Sequence, residues 1–476
     1  MPDTKRETIA AKFAANVAAK LSKWFDLSIA GTTLTRELRA GCTTYFAMAY
    51  ILFVNPQILA PAIIIPGATD VAAQLLSATA LSAAFGSILM GLYGKMPIAV
   101  APGMGLNAYF TYTVVLGQGL SWQTALGAVF VSGIVFLILT VSGLREAIVN
   151  GIPLSIKRAS GAGIGMFLAL LGCQAGGIVV ANPITMVGLG DLTSAAALLA
   201  MGGVAITGAL LIRRVPGAIL IGIICISFVA VVFHLPVFDG KPFVAVGGST
   251  DFGFFGSIIS SPVWPKDLVG ALDIRGAMDL GVAGVVFTFL FVAFFDTAGT
   301  LIGLSEVAKF TDQEGRIPRI GQAFAADAIA TTVGAVVGTS TTTAYMESVA
   351  GIEDGGKTGL VAIVTGLLFI FSLFLWPLAA AVPMVATAPA LIILGAMLME
   401  SISKIDWRDF KVAIPAFVTM LAMPLTFSIA NGISLGILTH VAMALLSKRA
   451  KEVHPVMYVL FVIIIIKFIW YAVASV

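Results

Sequence analysis

The chain has 476 residues, 59% of them hydrophobic and only 11% charged, with a mean hydropathy of +1.03 and a formal net charge of +3. Such a composition excludes a soluble globular protein, and long continuous apolar runs such as AAAVPMVATAPALIILGAMLM exclude a β-barrel, whose strands read as short alternating segments. What remains is an all-α polytopic membrane protein whose spanning helices each need about 20 mostly apolar residues. The cysteines Cys42, Cys173 and Cys225 lie in separate apolar segments without CxxC spacing and read as small core residues. His234, His440 and His454 are equally scattered, so no metal ligands are expected. No nucleophile constellation points to an enzyme, and neither catalytic residues nor an organic cofactor is expected.

In chain order, residues 1–30 (MPDTKRETIAAKFAANVAAKLSKWFDLS and the two residues after it) read as a basic amphipathic segment on the cytoplasmic surface, with no signal peptide. Apolar runs then predict fourteen spans. They cover 37–58, 72–93, 98–115, 121–143, 155–177, 192–212 and 215–234, then 278–302, 320–337, 340–353, 358–380, 385–402, 409–427 and 430–447. With the N-terminus placed in the cytoplasm, 23 lysines and arginines fall inside and three outside, the three being Lys241, Lys266 and Arg275 in the 235–277 loop. Cytoplasmic loops of membrane proteins carry that excess, which supports the count and the orientation. The tail HPVMYVLFVIIIIKFIWYAVASV, with Lys467 in mid-run, reads either as a further span or as an interfacial helix over 455–474.

The 235–277 loop divides the chain into two sets of seven spans. Seven is odd, so the second set enters from the opposite side, giving an inverted repeat of the kind that builds secondary transporters. Two weak echoes accompany it. APGMGLNAYF in span 3 matches GTSTTTAYME in span 10 at Ala108-Tyr109 and Ala344-Tyr345, and ALSAAFG (80–86) resembles AIATTVG (328–334). Spans 3 and 10 carry Gly, Pro and a run of Thr where a lipid-facing helix would carry Leu. Each is expected to be a short extended piece followed by a half-helix, because irregular backbone at membrane depth survives only where it is buried or lines a cavity.

Two acids stand inside apolar runs: Asp296 in VFTFLFVAFFDTAGTLIGL and Glu347 in GTSTTTAYMESVAG. A carboxylate near the bilayer centre costs roughly 2.5–3.5 kcal/mol on insertion scales, so a polar partner is expected to face it. Carboxylates suit a ligand with N–H donors. Burial disfavours the charged form of a carboxyl, so one of the pair is expected to carry a proton, coupling substrate to proton movement. Asp296 alternatively serves as a structural acid bonded to Thr297 or Thr300. Asp327 in span 9 reads equally as a scaffold brace or a proton relay, and Glu306 and Glu400 as solvated helix-end acids. Asn107, aligned with Thr343 by the Ala-Tyr echo, offers the donor and acceptor that a heterocycle edge needs, or else an interhelical hydrogen bond. Asn55-Pro56 reads as the outer end of span 1. GIEDGGKTGL (351–360) lacks GxxxxGK[ST] spacing and a preceding strand, so no nucleotide and no nucleic-acid partner is expected.

Together TTYFAMAYILFVNPQIL, APGMGLNAYF, FFDTAGTLIG and GTSTTTAYMESVAGIEDGGKTGL resemble the azaguanine-type purine permeases, a branch of the nucleobase–ascorbate transporter superfamily. The resemblance implies a uracil-permease-like fold with 14 transmembrane segments as a 7+7 inverted repeat and short extended strands in spans 3 and 10. It implies a core domain from residues 31–143 and 278–380 and a gate domain from residues 144–234 and 381–447. The 235–277 loop and the 448–476 apolar tail lie outside both. The function it implies is proton-coupled import of adenine, guanine or hypoxanthine across the plasma membrane, with the proton as the only coupling ion and a homodimer as one possible assembly. An anion transporter of the same fold is the alternative. The substrate would sit near Asp296, Glu347, Asn107, Thr342, Thr343 and Ala293, with proton coupling at Asp296, Glu347 and Asp327. Members of the resembled family commonly carry a second acid three residues before the FDT aspartate. Here that position is Ala293, through variation within a subgroup or through replacement.

Overall fold

The computed structural model describes residues 20, 22–68, 70–142, 153–237, 260–308, 310, 317–377 and 382–474. The expected amphipathic segment over 1–19 and residues 238–259 of the central loop lie outside the described residues.

The first span joins α1 (Leu34–Met48) to α2 (Ile51–Leu59) as one 26-residue apolar helix. It tightens at Ala49 and Tyr50, whose carbonyls accept from Leu52 (3.1 Å) and Phe53 (3.0 Å), three residues on. Next, α3 (Val71–Leu89) runs into a π-helical turn, Met90–Gly94. Strand β1 (Val100–Pro102) leads into α4 (Met104–Ala108), which continues as a π turn to Val115. Four longer helices complete the first half: α5 (Trp122–Ser142), α6 (Leu154–Ala175), α7 (Ala195–Ile212) and α8 (Ala218–Val232). A hairpin of β2 (Val179–Asn182) and β3 (Met186–Leu189) separates α6 from α7.

The second half repeats the plan. Helices α9 (Ala283–Ala308) and α10 (Ile320–Val337) precede strand β4 (Thr342–Ala344) and the half-helix α11 (Ser348–Glu353). Then come α12 (Gly359–Ser372), α13 (Met384–Leu398), α14 (Phe410–Leu425), α15 (Ile429–Leu446) and α16 (Pro455–Ala474). Among the described residues, eight helices are long and apolar enough to cross a membrane, and five more apolar helices are shorter. The third and tenth predicted spans belong to neither set, because each is a strand followed by a half-helix. The tail is the helix α16, which buries Met457, Leu460 and Ile464 and packs on α15.

Contacts divide the helices into two groups. In one, α3 packs on α10 and α12, α1 on α11 and α12, and α5 on α9 and α10. In the other, α6 packs on α13 and α14, α7 on α8 and α13, and α14 on α15. Small residues permit these approaches. A methyl group on Gly165 of α6 would lie 2.6 Å from the Gly395 carbonyl of α13, and one on Gly172 would lie 2.8 Å from the Ala388 carbonyl. Within a bilayer, lipid is as apolar as leucine, so helix association rests on such close packing rather than on exclusion of water.

A local two-fold relation joins the halves. Strands β1 and β4 pair antiparallel, Val100 with Ala344, Ala101 with Thr343 and Pro102 with Thr342. Helices α3 and α10 cross behind them. A methyl on Gly86 would stand 3.1 Å from Ala330 Cβ, and one on Gly334 would stand 2.8 Å from Ser82 Oγ. Both contacts connect the segments 80–86 and 328–334. Hydroxyls fasten each strand to its own helix: Ser87 bonds the Val100 amide (3.0 Å) and carbonyl (2.9 Å), and Thr331 donates to the Thr342 carbonyl (3.0 Å).

Three expectations are corrected here. Asn107 lies in the half-helix α4 whereas Thr343 lies in strand β4, paired across to Ala101, so the Ala-Tyr echo does not align like elements of the two halves. Asn55 does not end the first span. It lies fully buried inside α2, and its amide nitrogen donates to Thr79 Oγ1 (2.7 Å) and Thr339 Oγ1 (3.0 Å). The cysteines are half-buried free thiols rather than core residues.

Candidate functional site

Gly338 ends α10 in left-handed backbone (φ 100°), a conformation that glycine adopts at no steric cost. The chain then extends through the Thr run, where β-branched side chains favour strand geometry. Successive residues of β4 face opposite sides. Thr342 turns to α10, its hydroxyl 3.2 Å from that of Thr331. Thr343 turns to α9, where its hydroxyl bonds the Asp296 carboxylate. Gly103, after β1, leaves room for this, since a methyl there would lie 3.0 Å from Thr343 Oγ1.

Past β4, Tyr345 donates to the Pro102 carbonyl (2.5 Å), tying the two strands together. Two residues later Glu347 begins α11, and its carboxylate accepts from the Tyr50 hydroxyl. Tyr50 is buried at the tightened turn of the first span. Asp296 and Glu347 are both half-buried and close enough to interact as charges. Asp296 has the same relation to Asp327, one layer deeper. Asp327 is fully buried on α10. Thr297 donates to its Oδ2 at 2.6 Å, while its Oδ1 has no hydrogen-bond partner among the described residues. Thr297 therefore serves Asp327, and the expectation that it holds Asp296 is corrected: Thr343 occupies that role.

Asn107 is buried, with its amide nitrogen committed to Asn55 and its Oδ1 unpartnered among the described residues. Among the described residues, no hydrogen bond brings it to the acid pair. Ala293 lies one turn before Asp296 on α9, buried within the main apolar cluster. Glu400 is exposed, as expected, and the side chain of Glu306 lies outside the described residues.

Two residues that the sequence reading passed over matter to this geometry. Tyr50 is one aromatic in an apolar run and gives no signal of its own. Glu37 does give one, as the sole acid of α1, set between Arg36 and Arg39. It is fully buried and accepts from the Lys357 amide (2.9 Å), the Thr358 amide (3.2 Å) and the Thr358 hydroxyl (2.6 Å). Arg39 pairs with Asp354 at 2.8 Å, and Thr43 donates to the same carboxylate at 3.0 Å. The GGKTG loop thus has its amides filled by Glu37, and its work is to fasten α11 to α1.

Two broken helices meeting as antiparallel strands, with acids beside the break, define a membrane transporter fold. The same fold is seen in the transmembrane domain of the cyanobacterial bicarbonate transporter BicA (TM-score 0.61, 14% identity, 83% of this chain and 97% of that one). It is also seen in murine Solute Carrier 26 family member A9, an anion transporter in its inward-facing state (TM-score 0.57, 11% identity, 87% and 69%). The chain belongs to the Permease family (Xan_ur_permease), whose model matches residues 35–435. A putative permease of Methanocaldococcus jannaschii is 45% identical over 94% of this chain and 98% of its own length. The guanine/hypoxanthine permease PbuG of Bacillus subtilis is 43% identical (94% and 100%), and the adenine permease AdeP of Escherichia coli is 39% identical (94% and 96%). This is therefore an integral membrane permease rather than an enzyme.

Proposed function

We propose that the protein imports purine nucleobases (adenine, guanine or hypoxanthine) by proton symport and alternating access. One observation carries the reading: Asp296 and Glu347 arrive from different helices at one half-buried place beside the β1–β4 pair. Their carboxylate oxygens offer acceptors for the N–H edge of a purine, and Thr343 adds a hydroxyl. Asp327 adds a third carboxyl behind the pair, so the site holds acceptors for a proton as well as for a purine. Asp327, behind Thr297, is the group assigned to exchange the coupling proton with the front pair, and no other cofactor is required. Similarity to the guanine/hypoxanthine permease PbuG and the adenine permease AdeP supports the substrate class.

In this reading the chain crosses the plasma membrane fourteen times with its N-terminus in the cytoplasm. The α1–α5 and α9–α12 group is the core that carries substrate, and the α6–α8 and α13–α15 group is the gate against which it moves. A homodimer through the gate group is compatible with it. The anion-transporter reading has the fold likeness in its favour, but an acid pair repels an anion. Competition by adenine, guanine, hypoxanthine, xanthine and uracil against a labelled purine, in wild type and Glu347→Gln, tests the assignment. Displacement by purines and loss in the variant are expected; binding of no nucleobase would refute it.

A further inference from the structure

A concavity that shares no lining residue with the acid pair has the opposite charge. It is a cavity of about 190 Å³ on the face that the cation count assigns to the cytoplasm. Lys95, at the end of the π turn after α3, Arg319, at the start of α10, and Lys357, before α12, converge on it. All three are exposed at their own positions. Among the described residues none of the three makes an ion pair, and their one side-chain hydrogen bond is a 3.4 Å bond from Lys357 Nζ to the Gly31 carbonyl. Asp26 is the one acid in the lining, leaving a surplus of positive charge, and Thr358 adds a polar group. Glu37 lies behind the loop with its carboxylate consumed by Lys357 and Thr358. Lys95 and Arg319 both hold left-handed backbone (φ 51° and 60°), where glycine would be the low-strain choice. Trp24 closes one side at 65% exposure, with Ile29 nearby in sequence at 85%. Exposed tryptophan and clustered cations are the combination found at the level of lipid headgroups.

We propose that this concavity binds a phosphate group at the membrane surface, held by Lys95, Arg319 and Lys357, with Trp24 beside it at the interface. The phosphate belongs either to an anionic phospholipid headgroup or to a soluble phosphate. Bound there, it would bridge the segment before α1 to the ends of α3, α10 and α12, and so steady the cytoplasmic rim of the core group. The site is independent of the purine reading, because none of its residues touches the acid pair.

Thermal unfolding of the full-length protein in neutral detergent provides the test. The titrants are short-chain phosphatidylglycerol, short-chain phosphatidylcholine and inorganic phosphate, applied to wild type and to the triple variant Lys95→Gln, Arg319→Gln, Lys357→Gln. Phosphatidylglycerol should raise the wild-type melting temperature more than phosphatidylcholine does. The triple variant should need roughly 100-fold more of it, since each surface cation contributes roughly fivefold. The same shift with inorganic phosphate alone would assign the site to a soluble phosphate. Equal responses to the two lipids with no response to phosphate, or an unchanged response in the triple variant, would overturn the proposal. The single variants Lys95→Gln and Arg319→Gln, at exposed positions, serve if the triple variant unfolds. Nucleobase binding should be unaffected in all of them, which separates failure here from failure of the transport reading.

Discussion

Tyr50 donates its phenolic hydrogen to Glu347, tying the tightened turn of the first span to the acid that follows the second strand. The bond crosses between the two repeats and fixes where the carboxylate points. Removing the hydroxyl leaves a half-buried acid without that donor, and a hydrogen bond to a charged group is worth about 1.5–3 kcal/mol. Tyr50→Phe should therefore weaken nucleobase binding about tenfold or more, with little change in fold. Equilibrium binding beside thermal unfolding reads both, and wild-type affinity in Tyr50→Phe would remove Tyr50 from the site.

Asp327 separates from the front acids by its surroundings. It is fully buried, with Thr297 on one oxygen and nothing described on the other. Asp327→Asn keeps the shape and abolishes the titration. The expected outcome is retained purine binding with loss of uptake driven by a proton gradient in proteoliposomes. Asp296→Asn should instead impair binding itself. Uptake by Asp327→Asn that still follows the gradient would return Asp327 to a bracing role.

Ala293 occupies the turn below Asp296 on α9. Residues three apart share a helix face, so Ala293→Asp adds a second acid beside the first. A change in purine affinity or in proton-coupled uptake is expected, and identical behaviour in both assays would show that this position is outside the site. Burial among apolar neighbours carries a stability cost of order 1–3 kcal/mol for the new polar group, visible as a lower melting temperature.

Glu37 gathers three donors from the loop before α12. Glu37→Ala strands two amides and a hydroxyl at once. Destabilisation of about 3–5 kcal/mol is expected, in the range for breaking a buried charged network. Denaturation in detergent measures it, and a loss below about 1 kcal/mol would mean that the loop finds other partners.

Much of this arrangement was legible in the residues. Gly, Pro and Thr in spans 3 and 10 announced broken helices because those residues oppose a continuous lipid-facing helix. Asp296 and Glu347 stood out because charge is costly where they lie. The strand register was not legible: an Ala-Tyr coincidence aligned Asn107 of a half-helix with Thr343 of a strand, and nothing in the residues announced that Thr343 pairs with Ala101. The segments 80–86 and 328–334 were the better guide, since Gly86 and Gly334 are where the two helices must approach. Asn55 looked like punctuation beside a proline, and only the packing of α2 on α3 shows it holding Thr79, Thr339 and Asn107. Hydrogen-bond partners separated by hundreds of residues leave no pattern in one chain.

The most direct measurement is purine binding by the purified protein before and after Glu347→Gln, with uracil and bicarbonate as competitors. Saturable purine binding, displaced by unlabelled purine, unaffected by bicarbonate and reduced at least about 100-fold in the variant, is predicted from the loss of a charge-assisted acceptor together with its coupling to Asp296. Absence of purine binding in the wild type, or wild-type affinity in Glu347→Gln, would contradict the account.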